Sequence, residues 1–338
     1  MSLFSTTSSK VEERLKVEYL IEPQTTISNS AGSDVVEAFK KRPKLLPAKY
    51  LYDDRGSELF EQICELPEYY STRTEAEILK KNAHEIARIT GAAELVELGS
   101  GSSTKTRILI DAYSNLGGKL RYLPVDVSGG ILETSARGLL DDFPYLQVHA
   151  LVGTYESALS NLPPLELPTR MISFLGSTIG NLPDAEFDAF LHLVKNSLQS
   201  GEYFLLGADL QKPKHIVEPA YNDSQGVTAA FSLNLLDHLN WRFDGNFDKD
   251  KFEFWSFYNE AENQIEMHIR SLKSQSFELR VLDNLKVDFE EGETIRTEIS
   301  RKFNLDSLKE QLKVRGFTTA QAWTDSKDWF SLILLQRD

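Results

Sequence analysis

Cysteine is almost absent from this chain, since a single one, Cys64, occurs in 338 residues. One cysteine cannot form an internal disulfide, which excludes the disulfide-rich secreted scaffolds. Such sparse use of cysteine is typical of proteins from a reducing compartment. We therefore expect a cytoplasmic protein.

Long apolar runs are also missing, because no segment approaches the roughly 18–20 apolar residues that cross a bilayer. The first thirty residues are polar and lack the apolar centre of a signal peptide. We therefore expect no membrane partner, and we expect residues 1–19 to be flexible.

Positive charge is in deficit, with 37 Lys and Arg against 51 Asp and Glu and a net charge of −14. Such a surface repels phosphate backbones, so no nucleic-acid partner is expected and a small-molecule substrate is favoured. The six histidines show no metal-ligand spacing, and we expect no metal. The Gly-x-Ser-x-Gly motif of serine hydrolases does not occur in the sequence.

Strand and helix patterns alternate through the middle of the chain. Strands are predicted at 94–98, 121–126, 146–152, 170–175 and 202–208, with helices at about 105–115, 128–139 and 184–198. This alternation predicts an α/β fold with a doubly wound, Rossmann-like parallel sheet. Ligands of such sheets bind outside the carboxyl ends of the strands.

The flanking segments have different patterns. Residues 34–90 and 214–240 are mostly helical, and 252–258, 264–271, 275–282 and 285–289 alternate as in an antiparallel meander. Two late strands, at about 317–323 and 328–336, are expected to complete the central sheet as a hairpin. We therefore predict a first domain from 74–211 plus 303–338. A second, α+β substrate-binding domain is predicted from 20–73 plus 212–302.

The most informative segment begins at Glu97, where an apolar strand ends in an acid and passes into Gly99-Ser100-Gly101 before a helical pattern. Glycine lets the backbone approach a ligand, and a helix N-terminus presents N–H groups to it. Asp126 ends the next predicted strand, where a carboxylate can accept the hydroxyls of a ribose. These residues predict an adenosine-containing cofactor.

Several ligand classes stay open on these residues alone. A dinucleotide site would need a third glycine at position 104, where the chain has Thr104. A P-loop would need the same glycine before Lys105. S-adenosylmethionine has no phosphate and tolerates the looser pattern, so a methyltransferase is favoured over both and over a turn that binds nothing.

Two further polar clusters are ambiguous when each is taken singly. Gly176 and Asn181 follow the fourth predicted strand and suit either an amino-acid head group or a helix N-cap at Asn181. Glu298 and Ser300 would point to one side of a strand. There they either hold both nitrogens of an imidazole or form a solvated edge.

The order of the motifs along the chain is more specific than any one of them. They are Tyr52-Asp53-Asp54 with Gly56-Ser57, Leu66-Pro67-Glu68-Tyr69-Tyr70, Glu97-Leu98-Gly99-Ser100-Gly101-Ser102 with Lys105-Thr106, Phe174 to Asn181, Gly226-Val227-Thr228-Ala229-Ala230-Phe231, and Arg296-Thr297-Glu298 with Ser300. In this combination the chain resembles the histidine-specific Nα-methyltransferases of ergothioneine biosynthesis, from about residue 30 onwards. The resemblance implies that the first domain is a class I methyltransferase domain.

The resemblance implies S-adenosylmethionine as the cofactor and S-adenosylhomocysteine as its product. The cofactor-binding positions that it implies are Gly99, Ser100, Gly101, Lys105, Asp126, Thr154 and Tyr155. The last two match the position that binds adenine. The family often carries an acid where this chain has Thr154, so the side-chain contact with adenine is expected to be weaker here.

The resemblance also implies a histidine-binding set, made up of Tyr69, Gly176, Asn181, Tyr221, Glu298, Ile299 and Ser300. Asn181 and Tyr221 would take the α-carboxylate and amino end, and Glu298 with Ser300 would take the imidazole. Tyr52 and Asn181 would position the substrate for methyl transfer, with Tyr52 and Gly176 close to the reacting amine. No general base is assigned.

The activity implied is trimethylation of the α-amine of L-histidine to hercynine, with L-histidine as the small-molecule partner. We expect a monomer, although the sequence does not specify the oligomeric state. One alternative is the same fold acting on another amino acid, such as tryptophan or tyrosine. Glu298 and Ser300 distinguish these substrates, because a carboxylate suits an imidazole better than an indole or a phenol. A binding protein without catalytic activity is a further alternative.

Overall fold

The computed structural model describes residues 11–20, 32–91, 93–117 and 119–338, and it divides the chain into two units. Of the described residues, the first unit holds 11–20, Ser71–Leu210 and Phe303–Asp338. The second unit holds 32–70 and Gln211–Lys302. The chain therefore passes from one unit to the other after residues 70, 210 and 302. The boundaries predicted from the sequence come after residues 73, 211 and 302.

The described residues form strands, α-helices and short 3₁₀ helices. The strands are β1 (Leu15–Tyr19), β2 (Lys44–Leu45), β3 (Ala93–Leu98), β4 (Leu120–Asp126), β5 (Leu146–Val152), β6 (Thr169–Phe174), β7 (Tyr203–Asp209), β8 (Phe252–Asn259), β9 (Gln264–Ser271), β10 (Gln275–Leu279), β11 (Leu285–Phe289), β12 (Thr294–Arg301), β13 (Phe317–Thr324) and β14 (Phe330–Arg337). The α-helices are Ser33–Lys40, Asp54–Glu65, Tyr70–Thr90, Thr104–Ser114, Gly129–Asp142, Tyr155–Ser160, Asp184–Ser197, Lys214–Ala220, Val227–Phe243 and Leu305–Lys313. Short 3₁₀ helices are Ala48–Leu51, Thr178–Asn181 and Lys249–Lys251. Within these ranges, no helix is both long enough and apolar enough to span a bilayer.

The first unit is built on an eight-stranded sheet with the order β1-β5-β4-β3-β6-β7-β14-β13. Its first six strands are parallel, and β14 runs antiparallel to both β7 and β13. The chain moves outwards from β3 to β4 and β5, and then returns to β6 on the other side of β3. The loops after β3 and β6 therefore flank a switch point, where ligands of such sheets bind.

Both faces of this sheet are covered, because side chains alternate between them along each strand. On β3, Leu95 belongs to one buried apolar cluster and its neighbours Val96 and Leu98 belong to another. The first cluster includes residues of the helices Tyr70–Thr90, Thr104–Ser114 and Gly129–Asp142, and the second includes residues of Tyr155–Ser160, Asp184–Ser197 and Leu305–Lys313. The predicted doubly wound α/β fold is thus confirmed, together with its late antiparallel hairpin.

Strand β1 corrects the expectation for the start of the chain. Residues 15–19, predicted to be flexible, pair in parallel with β5, from Leu15 opposite Val148 to Tyr19 opposite Val152. The Arg14 guanidinium donates to three main-chain carbonyls at the end of the helix Gly129–Asp142 and just beyond it. Backbone pairing at the edge of a sheet needs little apolar side-chain burial, so composition did not reveal this strand. Residues 1–10 lie outside the described residues.

The chain leaves the first unit after Leu210 and returns to it at Phe303. These two residues form a parallel bridge, and the Phe303 amide donates to the Asp209 carbonyl at 2.9 Å. The last residues before the second unit and the first residue after it are therefore joined by backbone hydrogen bonds within the first unit.

The second unit contains a four-stranded sheet with the order β2-β12-β9-β8 and a separate β10–β11 hairpin. The four segments predicted as one meander therefore belong to two sheets. A cluster of phenylalanine rings fills the core beside the hairpin, with centroids 4.7–6.3 Å apart, and consists of Phe39, Phe247, Phe252, Phe277 and Phe289. Strand β12 of the four-stranded sheet carries predicted substrate-binding residues.

A β-bulge interrupts β12 between Arg296 and Glu298. Arg296 pairs with His268 and Glu298 pairs with Met267, so Thr297 is the extra residue. The Thr297 hydroxyl donates to the Met267 carbonyl at 3.1 Å and fixes the bulge in place. Bulges re-aim the side chains that follow them and are frequent beside functional sites.

Candidate active site

The glycine-rich loop after β3 takes the backbone conformation that the sequence predicts for a ligand-binding turn. Gly99 has a φ of +71° and Gly101 a φ of +47°. The Gly99 and Ser100 amides donate to the Val125 carbonyl at 2.8 and 3.1 Å. A Cβ at Gly99 would lie 2.9 Å from the Tyr155 hydroxyl, so a larger residue here would require the Tyr155 side chain to shift.

Asp126 lies beside this loop at the end of β4. One carboxylate oxygen accepts from the Gly101 amide at 3.0 Å, and the other accepts from the Ser128 amide at 2.9 Å. Burial raises the pKa of Asp126, while these backbone donors act in the opposite direction. A carboxylate has about four lone-pair positions, so acceptor capacity remains for the hydroxyls of a ligand.

Thr154 and Tyr155 follow β5, and the structure gives them different roles. Thr154 is the N-cap of the helix Tyr155–Ser160, and its hydroxyl accepts from the Ser157 amide at 3.3 Å. The Tyr155 ring packs edge-on against Phe174 at 5.2 Å. The Thr154 side chain is therefore engaged in capping its own helix, in keeping with its departure from the acid found in the family.

Lys105 and Gly176 meet at a residue that sequence reasoning missed, Glu75. Its carboxylate is fully buried, forms an ion pair with Lys105, and accepts from the Gly176 amide at 2.9 Å. Glu75 lies three and four residues before Ile78 and Leu79, on the apolar stripe of the helix Tyr70–Thr90. An acid on such a stripe is the signal that could have found it.

Asn181 ends the 3₁₀ helix Thr178–Asn181 in the loop after β6. The sequence left open whether it caps the next helix. The structure gives that position to Pro183, the N-cap of Asp184–Ser197, so Asn181 is not the cap. Asn181 is half-buried in the first unit, in the same loop as Gly176.

The remaining predicted residues lie in the second unit, in a cluster of aromatic rings, hydroxyls and one acid. Tyr69 packs edge-on against Tyr221 at 5.9 Å. Tyr52 contacts Phe60 at 5.7 Å and Phe231 at 5.4 Å, and Phe231 is the last residue of one of the motifs that carry the family resemblance. These rings form a largely apolar wall with phenol groups in it.

The polar part of this cluster is on β12 and just after it. The Tyr221 and Ser300 hydroxyls are 2.9 Å apart, and Lys302 Nζ donates to each of them at 2.8 Å. The sequence assigned Tyr221 to the carboxylate end of the substrate and Ser300 to the ring, whereas their hydroxyls are bonded to each other. Ile299 lies between Glu298 and Ser300 and faces the opposite side of the strand.

Glu298 has the most perturbed carboxyl group in this cluster. Burial raises its pKa to about 8, while the positive charge of Lys302 and a hydrogen bond with Tyr52 act to lower it. Burial likewise raises the pKa of Tyr69 well above its usual value. A buried carboxyl group whose pKa lies close to neutral pH can change its protonation state when a ligand binds.

The predicted site residues thus fall into two groups. Gly99, Ser100, Gly101, Lys105, Asp126, Thr154, Tyr155, Gly176 and Asn181 lie in the first unit, and Tyr52, Tyr69, Tyr221, Glu298, Ile299 and Ser300 lie in the second. Among the described side chains, no cluster of three or more His, Cys, Asp or Glu has the arrangement of a metal site.

Comparison with known proteins identifies the family of this chain. A family model described as histidine-specific, S-adenosylmethionine-dependent methyltransferase matches residues 31–337. The histidine N-alpha-methyltransferase of Mycolicibacterium smegmatis is 41% identical over 304 residues, which cover 90% of this chain and 94% of that protein. Ergothioneine biosynthesis protein 1 of Neurospora crassa is 32% identical over 273 residues, covering 76% of this chain and 31% of that protein.

A more distant relative has a different substrate in its name. The 4-dimethylallyltryptophan N-methyltransferase of Aspergillus fumigatus is 27% identical over 313 residues, covering 89% of this chain and 92% of that protein. The resemblance inferred from the motifs is confirmed by the family model and by the mycobacterial relative. The chain therefore belongs to the family of histidine-specific, S-adenosylmethionine-dependent methyltransferases.

Proposed function

We propose that this protein transfers methyl groups from S-adenosylmethionine to the α-amine of L-histidine, three times in succession, and so forms hercynine for ergothioneine biosynthesis. The observation that carries the proposal is the buried Glu298 carboxyl with the Ser300 hydroxyl, two residues apart on β12, in a chain of the histidine-specific family. The single cysteine supports a cytoplasmic location.

The residues of the first unit suit S-adenosylmethionine. The Ser100 hydroxyl is buried in the glycine-rich loop and has no protein partner among the described residues, which suits a polar ligand atom. Asp126 would accept the ribose hydroxyls and Tyr155 would contact the adenine. The bound cofactor supplies an electrophilic methyl group on a sulfonium, so the protein has mainly to align and desolvate the amine.

The residues of the second unit suit an imidazole. One ring nitrogen of a neutral imidazole carries a proton and the other a lone pair, so an acceptor and a donor are needed together. Glu298 and Ser300, which lie on the same face of β12, provide such a pair. A contact with Ile299 would be made by its backbone, because its side chain is on the other face.

The aromatic wall suits the product. An amine that gains three methyl groups becomes a quaternary ammonium, and such cations are attracted to the faces of tyrosine and phenylalanine rings. Tyr52, Tyr69 and Tyr221 would provide those faces. The ammonium form of the substrate has no lone pair, so it must lose a proton before each transfer.

The experiment that tests this function is mass spectrometry of products after incubation of the purified protein with S-adenosylmethionine and each proteinogenic amino acid. We expect histidine alone to gain three methyl groups, with one S-adenosylhomocysteine released for each. Glu298→Gln should weaken histidine turnover while leaving S-adenosylhomocysteine binding intact.

Other outcomes would contradict the proposal in different ways. Methylation of tryptophan or tyrosine in place of histidine would retain the methyltransferase and reject the role of Glu298 and Ser300. Release of histidine with one or two methyl groups would reject hercynine as the product. No methylation of any amino acid would reject the substrate class.

A further inference from the structure

Lys302 is a buried lysine that directly follows β12 and that sequence reasoning passed over. Only 3% of it is exposed to solvent. Its Nζ donates to the Tyr221 and Ser300 hydroxyls at 2.8 Å each and lies 4.5 Å from the centroid of the Tyr221 ring. A buried ammonium is costly unless its protons are hydrogen-bonded, so these contacts are what hold it here.

The lysine fixes the direction of the hydrogen bonds in this group. An ammonium can only donate, so both hydroxyl oxygens are acceptors toward Lys302. The hydroxyl pair, Tyr221 and Ser300, is separated by 2.9 Å, and one of the two donates to the other. The pair has two hydroxyl protons, and only one of them lies in the hydrogen bond between Tyr221 and Ser300. The other proton cannot point at Lys302, which only donates, so the pair can donate it to a ligand.

Glu298 provides a hydrogen-bond acceptor on the same face of β12, where the hydroxyl pair provides a donor. Its ionised carboxylate accepts hydrogen bonds only, and the positive charge of Lys302 favours that form against the effect of burial. A ring that satisfies both ends must offer a lone pair to the hydroxyl pair and an N–H to Glu298. Neutral imidazole offers both, whereas an indole ring offers an N–H without a nitrogen lone pair.

We propose that Lys302 is a positioning residue that holds the hydroxyl pair as a hydrogen-bond donor and thereby makes this end of the site selective for a neutral imidazole ring. The inference rests on the proposed function and deepens it. Lys302 acts through its hydrogen bonds to Tyr221 and Ser300, and its charge also favours the ionised form of Glu298. All three groups are assigned to the ring, so the effect of Lys302 belongs to recognition of the ring and not to the methyl transfer itself.

The first measurement is steady-state kinetics of the Lys302→Met variant with L-histidine. Loss of a hydrogen bond to a charged group predicts that the KM for histidine rises about 10- to 100-fold, with little change in kcat. Binding of S-adenosylhomocysteine, measured by calorimetry, should be unchanged, because the predicted cofactor residues lie in the other unit.

Lys44→Met is the matched control. Lys44 is also a buried lysine of the second unit, 1% exposed, but it pairs with Glu293 and lies over the Phe289 ring. Its removal deletes a buried ammonium without touching the hydroxyl pair, so the KM for histidine should stay near that of the unaltered protein. An equal rise in KM for both variants would overturn the proposal, since it would reflect general damage to the second unit.

A double-variant cycle separates positioning from a structural role. If Lys302 acts through the hydroxyl pair, the variant carrying both Lys302→Met and Ser300→Ala should bind histidine little worse than the poorer single variant. If the fold-losses of histidine affinity in the two single variants multiply in the double variant, the two residues act independently and the proposal is overturned. If circular dichroism shows that Lys302→Met is unfolded, the same cycle with Lys302→Gln decides.

The unaltered protein separates this inference from the function on which it rests. If it does not methylate histidine, the proposed function fails. If it does so and Lys302→Met retains the KM for histidine, the function stands and the role of Lys302 is rejected.

Discussion

Burial shifts the pKa of carboxyl groups in both units. It raises the pKa of Glu298 to about 8 and that of Glu97 to about 7. Burial therefore brings the pKa of both Glu298 and Glu97 close to neutrality, where each carboxyl can gain or lose a proton. Glu75 is also fully buried, and its carboxylate is held by the Lys105 ammonium and the Gly176 amide.

The raised pKa of Glu298 predicts a pH dependence of histidine recognition. Below about pH 8 the carboxyl is mostly protonated, so it offers a ring N–H only a neutral carbonyl oxygen. Above that pH the carboxylate accepts the same hydrogen bond with the help of its charge, which makes the bond stronger. The groups that act on it are Lys302 and Tyr52, with Tyr69 nearby. We expect the ratio of kcat/KM for the unaltered protein to that for Glu298→Gln to rise about tenfold between pH 7 and pH 9.

This ratio cancels the ionisation of the substrate, because both proteins act on the same histidine. Measurement of initial rates at subsaturating histidine across that range is sufficient. A ratio that stays level or falls with pH would contradict the assignment of Glu298 as an acceptor.

Glu75 should matter for the cofactor although it was not identified from the sequence. Glu75→Gln retains an acceptor for the Gly176 amide but leaves Lys105 without its anionic partner. We expect about tenfold weaker binding of S-adenosylhomocysteine, together with a lower melting temperature. Glu77→Gln, an exposed change on the same helix, is the control for calorimetry. Unchanged affinity in Glu75→Gln would show that the ion pair serves the fold alone.

Local elements place these residues by backbone geometry as much as by side-chain packing. The bulge in β12 adds Thr297 and sets the face on which Glu298 and Ser300 lie. The loop after β3 uses left-handed glycines to turn beneath Tyr155. Both devices depend on single residues, so each can be tested by one substitution.

Gly99→Ala should separate close approach from backbone strain. Its φ of +71° disfavours any Cβ, and the new methyl group would lie 2.9 Å from the Tyr155 hydroxyl. Gly91→Ala is the control. Gly91 has a φ of +68°, and a Cβ there would meet nothing within 4 Å, so this variant has the same backbone strain but no close contact with a side chain. Both variants should lose about 1–2 kcal/mol of stability. Only Gly99→Ala should lose affinity for S-adenosylhomocysteine in calorimetry, and equal affinities would reject a role for the loop.

At the scale of the molecule, the proposed function divides the work between the two units. Cofactor residues belong to the first and ring-recognition residues to the second. Hydrogen exchange measured by mass spectrometry should therefore show that S-adenosylhomocysteine slows exchange in peptides covering Gly99–Lys105 and Gly153–Tyr155. Addition of histidine should then slow exchange in β12, while the β10–β11 hairpin stays unchanged. Protection of β12 by S-adenosylhomocysteine alone would contradict this division.

The sheet of the first unit could be predicted because its strands are short apolar runs separated by helical patterns. The position of Gly99 and Asp126 at neighbouring strand ends could be predicted for a related reason, since a parallel sheet brings the ends of its strands to one edge. Glu75 has a signal in the sequence, an acid on an apolar helix stripe, but its partners Lys105 and Gly176 are distant in sequence. Lys302 could not be predicted, because its position depends on the equally distant Tyr221. Nor could β1, whose pairing is made by backbone groups that every sequence carries.

The backbone pairing of Leu210 with Phe303 has an evolutionary consequence. A segment whose two ends are held side by side can be lengthened, shortened or exchanged while the register of β7 and its neighbours is preserved. Under the proposed function, substitutions within residues 211–302 would alter recognition of the substrate ring, while the first-unit residues proposed for the methyl donor are kept. A family with this arrangement can change part of its substrate site by changing this one inserted segment.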